Sequence, residues 1–184
     1  MKERLGYAGD FDPDLALEDF SKSTLVELLG LYSRLIIGLD GFWYLGMMEK
    51  TGNEEARECD RWVWDKVMKK YMCTEISDLI RVEGRDVVDF MKVLQARPMH
   101  LVIREEIEVL APNDAVLTVM HCPPLAALEK EGEGRDASHC ELACAPMRRR
   151  HAELFNPSIQ VKCLKMPPRD GKDDIFCKWE YFRD

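Results

Sequence analysis

The stretch that decides the fold class is LVIREEIEVLAPNDAVLTVMH, residues 101–121. Apolar and polar residues alternate in its first ten positions, a turn-forming APNDA follows, and VLTVMH again favours strand. The pattern therefore predicts an antiparallel hairpin. Val102, Arg104, Glu106 and Glu108 are expected on one face, and the other face should carry Leu101, Ile103, Glu105, Ile107 and Val109.

A second hairpin is predicted near the end of the chain. NPSIQVKCLKM and DIFCKWEYF have strand character, and PPRDGKDD between them has the composition of a loop. Between the two hairpins, one helix should follow the paired prolines Pro123 and Pro124, and another should begin near Ser138. Pro146 should kink or restart that helix, because proline lacks the backbone donor.

The residues before Pro98 are predicted to be helical. Thr24 and Glu27 have capping-box spacing, which predicts a helix start near Ser23 or Thr24. Further helices are expected from Asn53 and over residues 83–95. Within the first helix, a stripe with steps of three or four should face a core: Leu28, Leu31, Leu35, Leu39, Phe42 and Leu45.

The fold class is thus α+β, with N-terminal helices packed with a four-stranded, mainly antiparallel sheet and helices inserted between its two hairpins. We divide the chain into a helical part, residues 1–97, and a cysteine-containing α+β part, residues 98–184. At 184 residues the two are expected to form one compact domain.

Charge and composition narrow the class of protein. The net charge of −8 argues against nucleic acid as a partner. The first residues contain no apolar signal region, and no uncharged apolar run is long enough to span a membrane. We therefore expect a cytoplasmic protein, whose seven cysteines stay reduced.

Five of the seven cysteines lie in the α+β part, and three uses remain open for them. They are Cys122, Cys140, Cys144, Cys163 and Cys177. They are candidate ligands of a zinc ion, with His121 or His139 as alternatives, although no CxxC pair is present. The same five residues also suit the lining of a core or a pocket. Cys59 and Cys73, in the helical part, are assigned to packing.

The third use is nucleophilic catalysis, for which Cys140 is the best candidate. His139 adjoins it, and a helix start favours a thiolate through the positive end of its dipole. Glu141 is a candidate general acid or base. Since neighbouring helical residues point about 100° apart, His139 is a poor base for Cys140, and another histidine would have to approach.

Four segments resemble a known pattern: CPPLAALEKEG, CELAC, FNPSIQVKC and GKDDIFCKWEYF. They are similar to the C-terminal portion of the L-2-amino-thiazoline-4-carboxylate hydrolase-like family and, more distantly, to the 4-vinyl-reductase-type ligand-sensing domain. The resemblance covers residues 120–182. The helical half is similar to that of prokaryotic proteins with the same tail.

The sensor resemblance implies helices around a small antiparallel sheet, with a ligand cavity between the layers. In zinc-binding members the ligands correspond to Cys140 or Cys144, Gln160, Cys163 and Cys177. Gln160 stands where those members have a glutamate, and a neutral amide is a poor zinc ligand. The hydrolase resemblance implies ring opening of a small cyclic amidine-like substrate.

Three functions follow as expectations. The first is a small-molecule-binding domain with a cysteine-rich metal or ligand site, in which Trp43, Met47, His121 and Arg148 line the pocket. The second is a hydrolase of a small carboxylated heterocycle, with Arg135 or Arg148 paired to the substrate carboxylate. The third is a structural or oligomerisation protein with buried cysteines. We also consider a homodimer.

Overall fold

The computed structural model describes residues 3–183 and confirms the α+β class. The four strands form one antiparallel sheet in the order β1-β2-β4-β3. They are β1 (Arg104–Ala111), β2 (Asp114–His121), β3 (Gln160–Lys165) and β4 (Cys177–Phe182). Both predicted hairpins are therefore confirmed, and β4 joins them by pairing with β2.

The helices precede the sheet or lie between its hairpins. In chain order they are α1 (Lys22–Thr51), α2 (Asn53–Val67), α3 (Ser77–Leu79), α4 (Val87–Ala96), α5 (Pro123–Glu131), α6 (Arg135–His139) and α7 (Ala145–Phe155). Two π-helical segments, Met68–Ile76 and Cys140–Cys144, connect α2 to α3 and α6 to α7. A 3-10 turn, Pro98–Leu101, leads into β1.

The hydrophobic core lies between the helices and one face of the sheet. Cross-strand partners share a face, so Cys163 on β3 and Trp179 on β4 both point toward this core. Helix α4 adds Phe90, whose ring lies 5.2 Å from that of Phe155 on α7 and 5.7 Å from that of Tyr181. The core contains residues from both halves of the chain.

Helix α1 begins at Lys22, because Ser21 is its N-cap and accepts a hydrogen bond from the Thr24 nitrogen at 3.2 Å. The predicted cap at Thr24 is therefore wrong. The helix ends at Gly52, whose φ of +97° suits glycine, and α2 follows directly. This tight connection folds α2 back against α1, with which it forms a helical hairpin.

The prediction that the stripe on α1 faces a core is wrong for this chain taken alone. Within Lys22–Thr51, all of which the structure describes, Ser33 is the one buried residue. Leu31, Leu35, Leu39, Phe42 and Leu45 are exposed. No helix in residues 3–183 is long and apolar enough to cross a membrane.

Candidate functional site

A π-helical turn before Pro146 sets up the centre of the site. Proline cannot donate a backbone hydrogen bond into the preceding turn, and the segment Cys140–Cys144 widens from α- to π-helix just before it. The wider turn puts His139 and Cys140 beside Cys144. Both lie close enough to the Cys144 sulfur to lower the pKa of its thiol.

Two more cysteines approach this turn from other elements. Cys122 is the N-cap of α5, and Cys177 is the first residue of β4. Their sulfurs lie close enough to those of Cys140 and Cys144 for the charges to interact. Cys163, on the edge strand β3, is nearest to Cys177. Four of the five predicted cysteines are thus gathered together, and the fifth lies beside them.

The four gathered thiols and Cys163 differ in acidity. Burial raises the pKa of Cys122 to about 12 and also raises those of Cys163 and Cys177. The contact between Cys140 and Cys144 raises the pKa of Cys140 and lowers that of Cys144. His139 and the Arg148 guanidinium lower the pKa of Cys144 further. Cys144 is therefore the thiol that this environment favours as a thiolate.

The sequence favoured Cys140 as the nucleophile, whereas the structure favours Cys144. A helix start was expected there, but the helix begins earlier, at Arg135, so Cys140 receives no N-terminal dipole. Glu141 is exposed and none of the contacts described for the thiols involves it. His139 does contact a thiol, but it is that of Cys144, five residues along the chain.

The zinc expectation can be tested against this arrangement. Among the described residues, no group of three or more His, Cys, Asp or Glu side chains is placed to hold a metal ion. The permanently charged guanidinium of Arg148 lies beside Cys144 and Cys177, and a cation there disfavours a second one. Zinc binding by these thiols therefore stays a prediction.

Arg148 on α7 connects the thiols to the sheet. Its guanidinium lies over the Trp179 ring, 5.2 Å from the centroid, and donates to the Tyr181 hydroxyl at 3.1 Å. On its other side it lies 4.0 Å from a carboxylate oxygen of Glu105. These contacts hold the predicted pocket residue Arg148 in one orientation.

Glu105 is an acid on the apolar face of β1, with a side chain that is fully buried. Arg97 forms an ion pair with it, and the Nδ1 atom of His100 lies 3.4 Å from its second oxygen. Burial alone would raise its pKa, but the charge of Arg97 and the contact with His100 hold the pKa of Glu105 below its usual range. Glu105 therefore stays ionised and neutralises the arginines around it.

A pair of carboxylates lies on the other side of His139. Asp60 on α2 is 6% exposed, and within residues 3–183 its Oδ1 has no hydrogen-bond partner. Its neighbour Asp40 on α1 accepts a hydrogen bond from the Trp64 indole at 3.1 Å. Burial and the charge of Asp40 raise the pKa of Asp60 to about 7. The pair therefore shares a proton near neutral pH.

His139 joins the two groups. Burial acts to lower its pKa, but contact with Cys144 and the negative charges of Cys144 and Asp60 raise the pKa of His139 overall. Its ring also packs edge-on against Tyr44 at 5.9 Å. Asp40, Asp60, His139 and Cys144 therefore form a series in which each group shifts the pKa of the next.

Asp40 reaches the surface in an apolar groove of about 710 Å³. The groove lies between α1, α2 with its π-helical extension, and the 3-10 turn before β1. Its lining residues are Ile36, Leu39, Asp40, Trp43, Val63, Trp64, Val67, Tyr71, Met72, Glu75, Ile76, Pro98 and Met99. Asp40 and Glu75 are charged, and none of these residues, all within the described chain, is basic.

The predicted pocket residues are therefore divided between different places. Trp43 lines the groove, whereas Met47 does not. Arg148 lies among the thiols, and His121 is exposed at the end of β2, where its ring packs edge-on against Phe176 at 5.4 Å. The structure thus does not bring these four residues into one pocket.

Sequence reasoning missed three acids of the site. Glu105 could have been identified from the sequence, because it is a charged residue on the otherwise apolar face of a predicted strand. Asp40 could also have been identified, because it is the single acid between Glu27 and Glu49 in a strongly apolar helix. Asp60 could not, because its burial depends on how α1 packs against α2.

Comparison with known proteins adds a family but no activity. A model of the family of unknown function DUF6125 matches residues 18–183, which is nearly the whole chain. No curated protein and no solved structure matches.

Proposed function

Since the chain belongs to the DUF6125 family, whose function is unknown, we propose a function from its own geometry: it is a small-molecule-binding domain. Its ligand is an apolar molecule that carries a positive charge, bound in the groove between α1 and α2. The observation that carries the proposal is the Asp40 carboxylate in an otherwise largely apolar groove of about 710 Å³. That volume is typical of sites for drug-sized molecules.

The sign of the ligand charge is argued from the lining. Asp40 is backed by Asp60, and the pair keeps a negative charge at neutral pH even when it shares one proton. Glu75 adds a second acidic group, and no basic side chain within the described lining offsets them. An anionic ligand would therefore meet unfavourable charges throughout the groove.

The aromatic residues of the groove support the same class of ligand. Trp43, Trp64 and Tyr71 line it, and the faces of such rings attract organic cations. Trp64 is held in place because its indole nitrogen donates to Asp40. The charge and one aromatic ring are therefore presented in a fixed relation.

Tetraphenylphosphonium and tetraphenylborate test the proposal, because they have nearly the same shape and opposite charge. Titration calorimetry and tryptophan fluorescence should show the cation binding about tenfold more tightly than the anion, or better. Asp40→Asn should remove most of this preference. Glu58→Gln, which removes an exposed acid of α2 outside the groove, should leave it unchanged.

Two results would count against this function. Equal binding of the two probes, or tighter binding of the borate, would contradict the proposal that the groove prefers a positively charged ligand. Failure of both probes to bind at millimolar concentration would remove the groove as a ligand site.

A hydrolase is the second candidate, and the contact of Cys144 with His139 favours it. Cys144 is a half-buried residue, His139 lies beside its sulfur as a candidate base, and Arg148 supplies a positive charge near the sulfur. A small carboxylated heterocycle, the substrate class that the resemblance implies, would pair its carboxylate with Arg148. The thiol would give its proton to His139 and attack the ring carbon, the ring C–N bond would break as the nitrogen takes that proton, and water would then release the product from the sulfur.

Alkylation with two reagents of similar size separates this candidate from inert thiols. Iodoacetate carries the carboxylate and iodoacetamide does not, so Cys144 should prefer iodoacetate more strongly than Cys163 does. Mass spectrometry after brief labelling at pH 7 should find Cys144 modified first, and His139→Gln should slow the reaction. First labelling at Cys163, or no dependence on His139, would contradict the hydrolase.

A further inference from the structure

The exposed stripe of α1 is too apolar to be an ordinary surface. Leu35 is 67% exposed, Leu39 is 69% exposed and Phe42 is 78% exposed. Single apolar side chains on a surface need no explanation, but a continuous row of them marks an interaction site. α2 packs against α1 elsewhere, and within residues 3–183 these three side chains stay largely uncovered, although Leu39 also lines the edge of the groove.

The spacing of the stripe is that of a helix–helix seam. Leu28, Leu35 and Phe42 are seven residues apart, and so are Leu31, Gly38 and Leu45. Two series with a period of seven, offset by three, form the a and d positions of a coiled coil. The stripe therefore suits a second helix packed along it, rather than a flat surface or a compact ligand.

The area of the apolar surface on α1 also fits a partner. From the usual areas of its exposed side chains, the stripe presents roughly 600 Å² of apolar surface, so two copies would bury about 1,200 Å² in total, at the lower end of the range for specific stable interfaces. The residues that contribute most are Leu31, Leu35, Leu39, Phe42 and Leu45.

We infer that the partner is a second copy of this chain, whose α1 packs antiparallel against the first along the stripe formed by Leu28, Leu31, Leu35, Leu39, Phe42 and Leu45. A two-fold axis near the middle of the stripe places Leu31 of one copy opposite Phe42 of the other. It also places Leu28 opposite Leu45. The surface is then complementary to itself, as a two-fold interface requires.

Gly38 supports this occupant. At the centre of the seam it would lie opposite Leu35 of the other copy, where a small residue lets two helices approach closely. Within one copy it has no such reason, because a Cβ added at Gly38 meets nothing within 4 Å. Glycine costs a helix more stability than any residue except proline, and close packing by a partner offsets this cost at Gly38. Gly41 and Gly46 are equally free of neighbours but lie off the seam.

A membrane surface is less suited to the stripe. Helices that lie on membranes carry lysine and arginine along their polar border, but the only basic residue between Lys22 and Lys50 is Arg34. The whole chain has a net charge of −8, which anionic lipids repel. The charge pattern therefore favours a second copy over a lipid surface.

Sedimentation velocity on the full chain tests the inference. The wild type should sediment as a dimer at micromolar concentration. Leu35→Glu and Leu35→Lys should each be monomeric, with a dissociation constant raised at least about a hundredfold, because a charge would be buried at the seam. Leu35 does not line the groove, so neither variant removes a lining residue of the ligand site. The matched control is Leu79→Glu, at a residue 81% exposed on α3, which should remain dimeric.

Mixing the two Leu35 variants gives the decisive result. If α1 meets another α1, the glutamate and lysine variants should form a heterodimer together while each alone stays monomeric, and this recovery cannot arise from misfolding. A wild type that is monomeric at about 100 μM, a Leu35→Glu variant that still dimerises, or a mixture that does not associate would each overturn the inference. A monomeric wild type that binds anionic vesicles would instead assign α1 to membranes.

Discussion

The sheet and helix α1 use the same kinds of residues in opposite ways. Trp179 and Tyr181 on β4 and Phe90 on α4 are each about 1% exposed, so the large side chains of the sheet region are enclosed within one chain. On α1 the large side chains form an equally regular pattern, but most of them face outward. A periodic apolar pattern therefore predicts that one face of a helix or strand packs against other residues. It does not predict whether those residues belong to the same molecule.

The largest expected effect is the difference between the stability lost by a substitution in the sheet core and that lost by a substitution on α1. Trp179→Ala should lower the free energy of unfolding by about 3–5 kcal/mol, because it leaves a large cavity in an enclosed core. Phe42→Ala should lower it by less than about 0.5 kcal/mol in the monomeric Leu35→Glu background, because Phe42 is solvated there. Urea unfolding followed by circular dichroism measures both. Similar losses at the two sites would contradict the contrast.

An effect of intermediate size on the free energy of unfolding, which depends on pH, is expected at the carboxylate pair of Asp40 and Asp60, where α1 meets α2. The native state binds the Asp60 proton more tightly than the unfolded chain does, since its pKa is raised from 3.8 to about 7. The free energy of unfolding should therefore fall as pH rises from 4 to 7 and stay level above that. Asp60→Asn imitates the protonated form, so at pH 8 it should be more stable than wild type, by up to about 4 kcal/mol.

The same substitution should give no gain at pH 4, where wild-type Asp60 is already protonated in the native state. Thermal unfolding over this pH range measures the difference. Glu58→Gln, at an exposed acid on the same helix, is the control and should show no such pH dependence. A constant stabilisation by Asp60→Asn at every pH would show that the pair does not share a proton.

The smallest expected effect is that of a substitution at Gly38 on α1. Gly38→Ala should raise the free energy of unfolding by up to about 1 kcal/mol in the monomeric Leu35→Glu background, because alanine favours helix and its methyl group meets no neighbour. In the wild-type background the same methyl group should weaken the dimer. Gly41→Ala, off the seam and equally free of neighbours, should stabilise both backgrounds. Sedimentation and urea unfolding report the two quantities.

The sheet could be predicted from the sequence because its hairpins depend on local signals. Alternation in residues 101–121 predicted β1 and β2, and the register places Ile107 opposite Leu117 as that pattern requires. The loop composition of PPRDGKDD likewise separated β3 from β4. In each case the strands that pair first are neighbours in sequence, so little long-range information was needed.

The site could be predicted only in part, because it depends on contacts between distant residues. The cysteines were identified as a group, since several lie at the ends of elements that must meet. Asp60 and His139 are far apart in the chain, and their proximity follows from the packing of helices whose relative placement leaves no local pattern. The contact of His139 with Cys144 required a π-helical turn, for which Pro146 was the one visible signal.

The π-helical turn has a consequence for insertions and deletions in this chain. Such a turn holds one residue more than the α-helix around it, and this extra residue sets the spacing between His139 and Cys144. Removing Leu142, whose exposed side chain makes no buried contact, would allow an uninterrupted α-helix. His139 and Cys140 would then rotate by about 100° relative to Cys144. The number of residues in this segment is thus part of the site, independently of which residues they are.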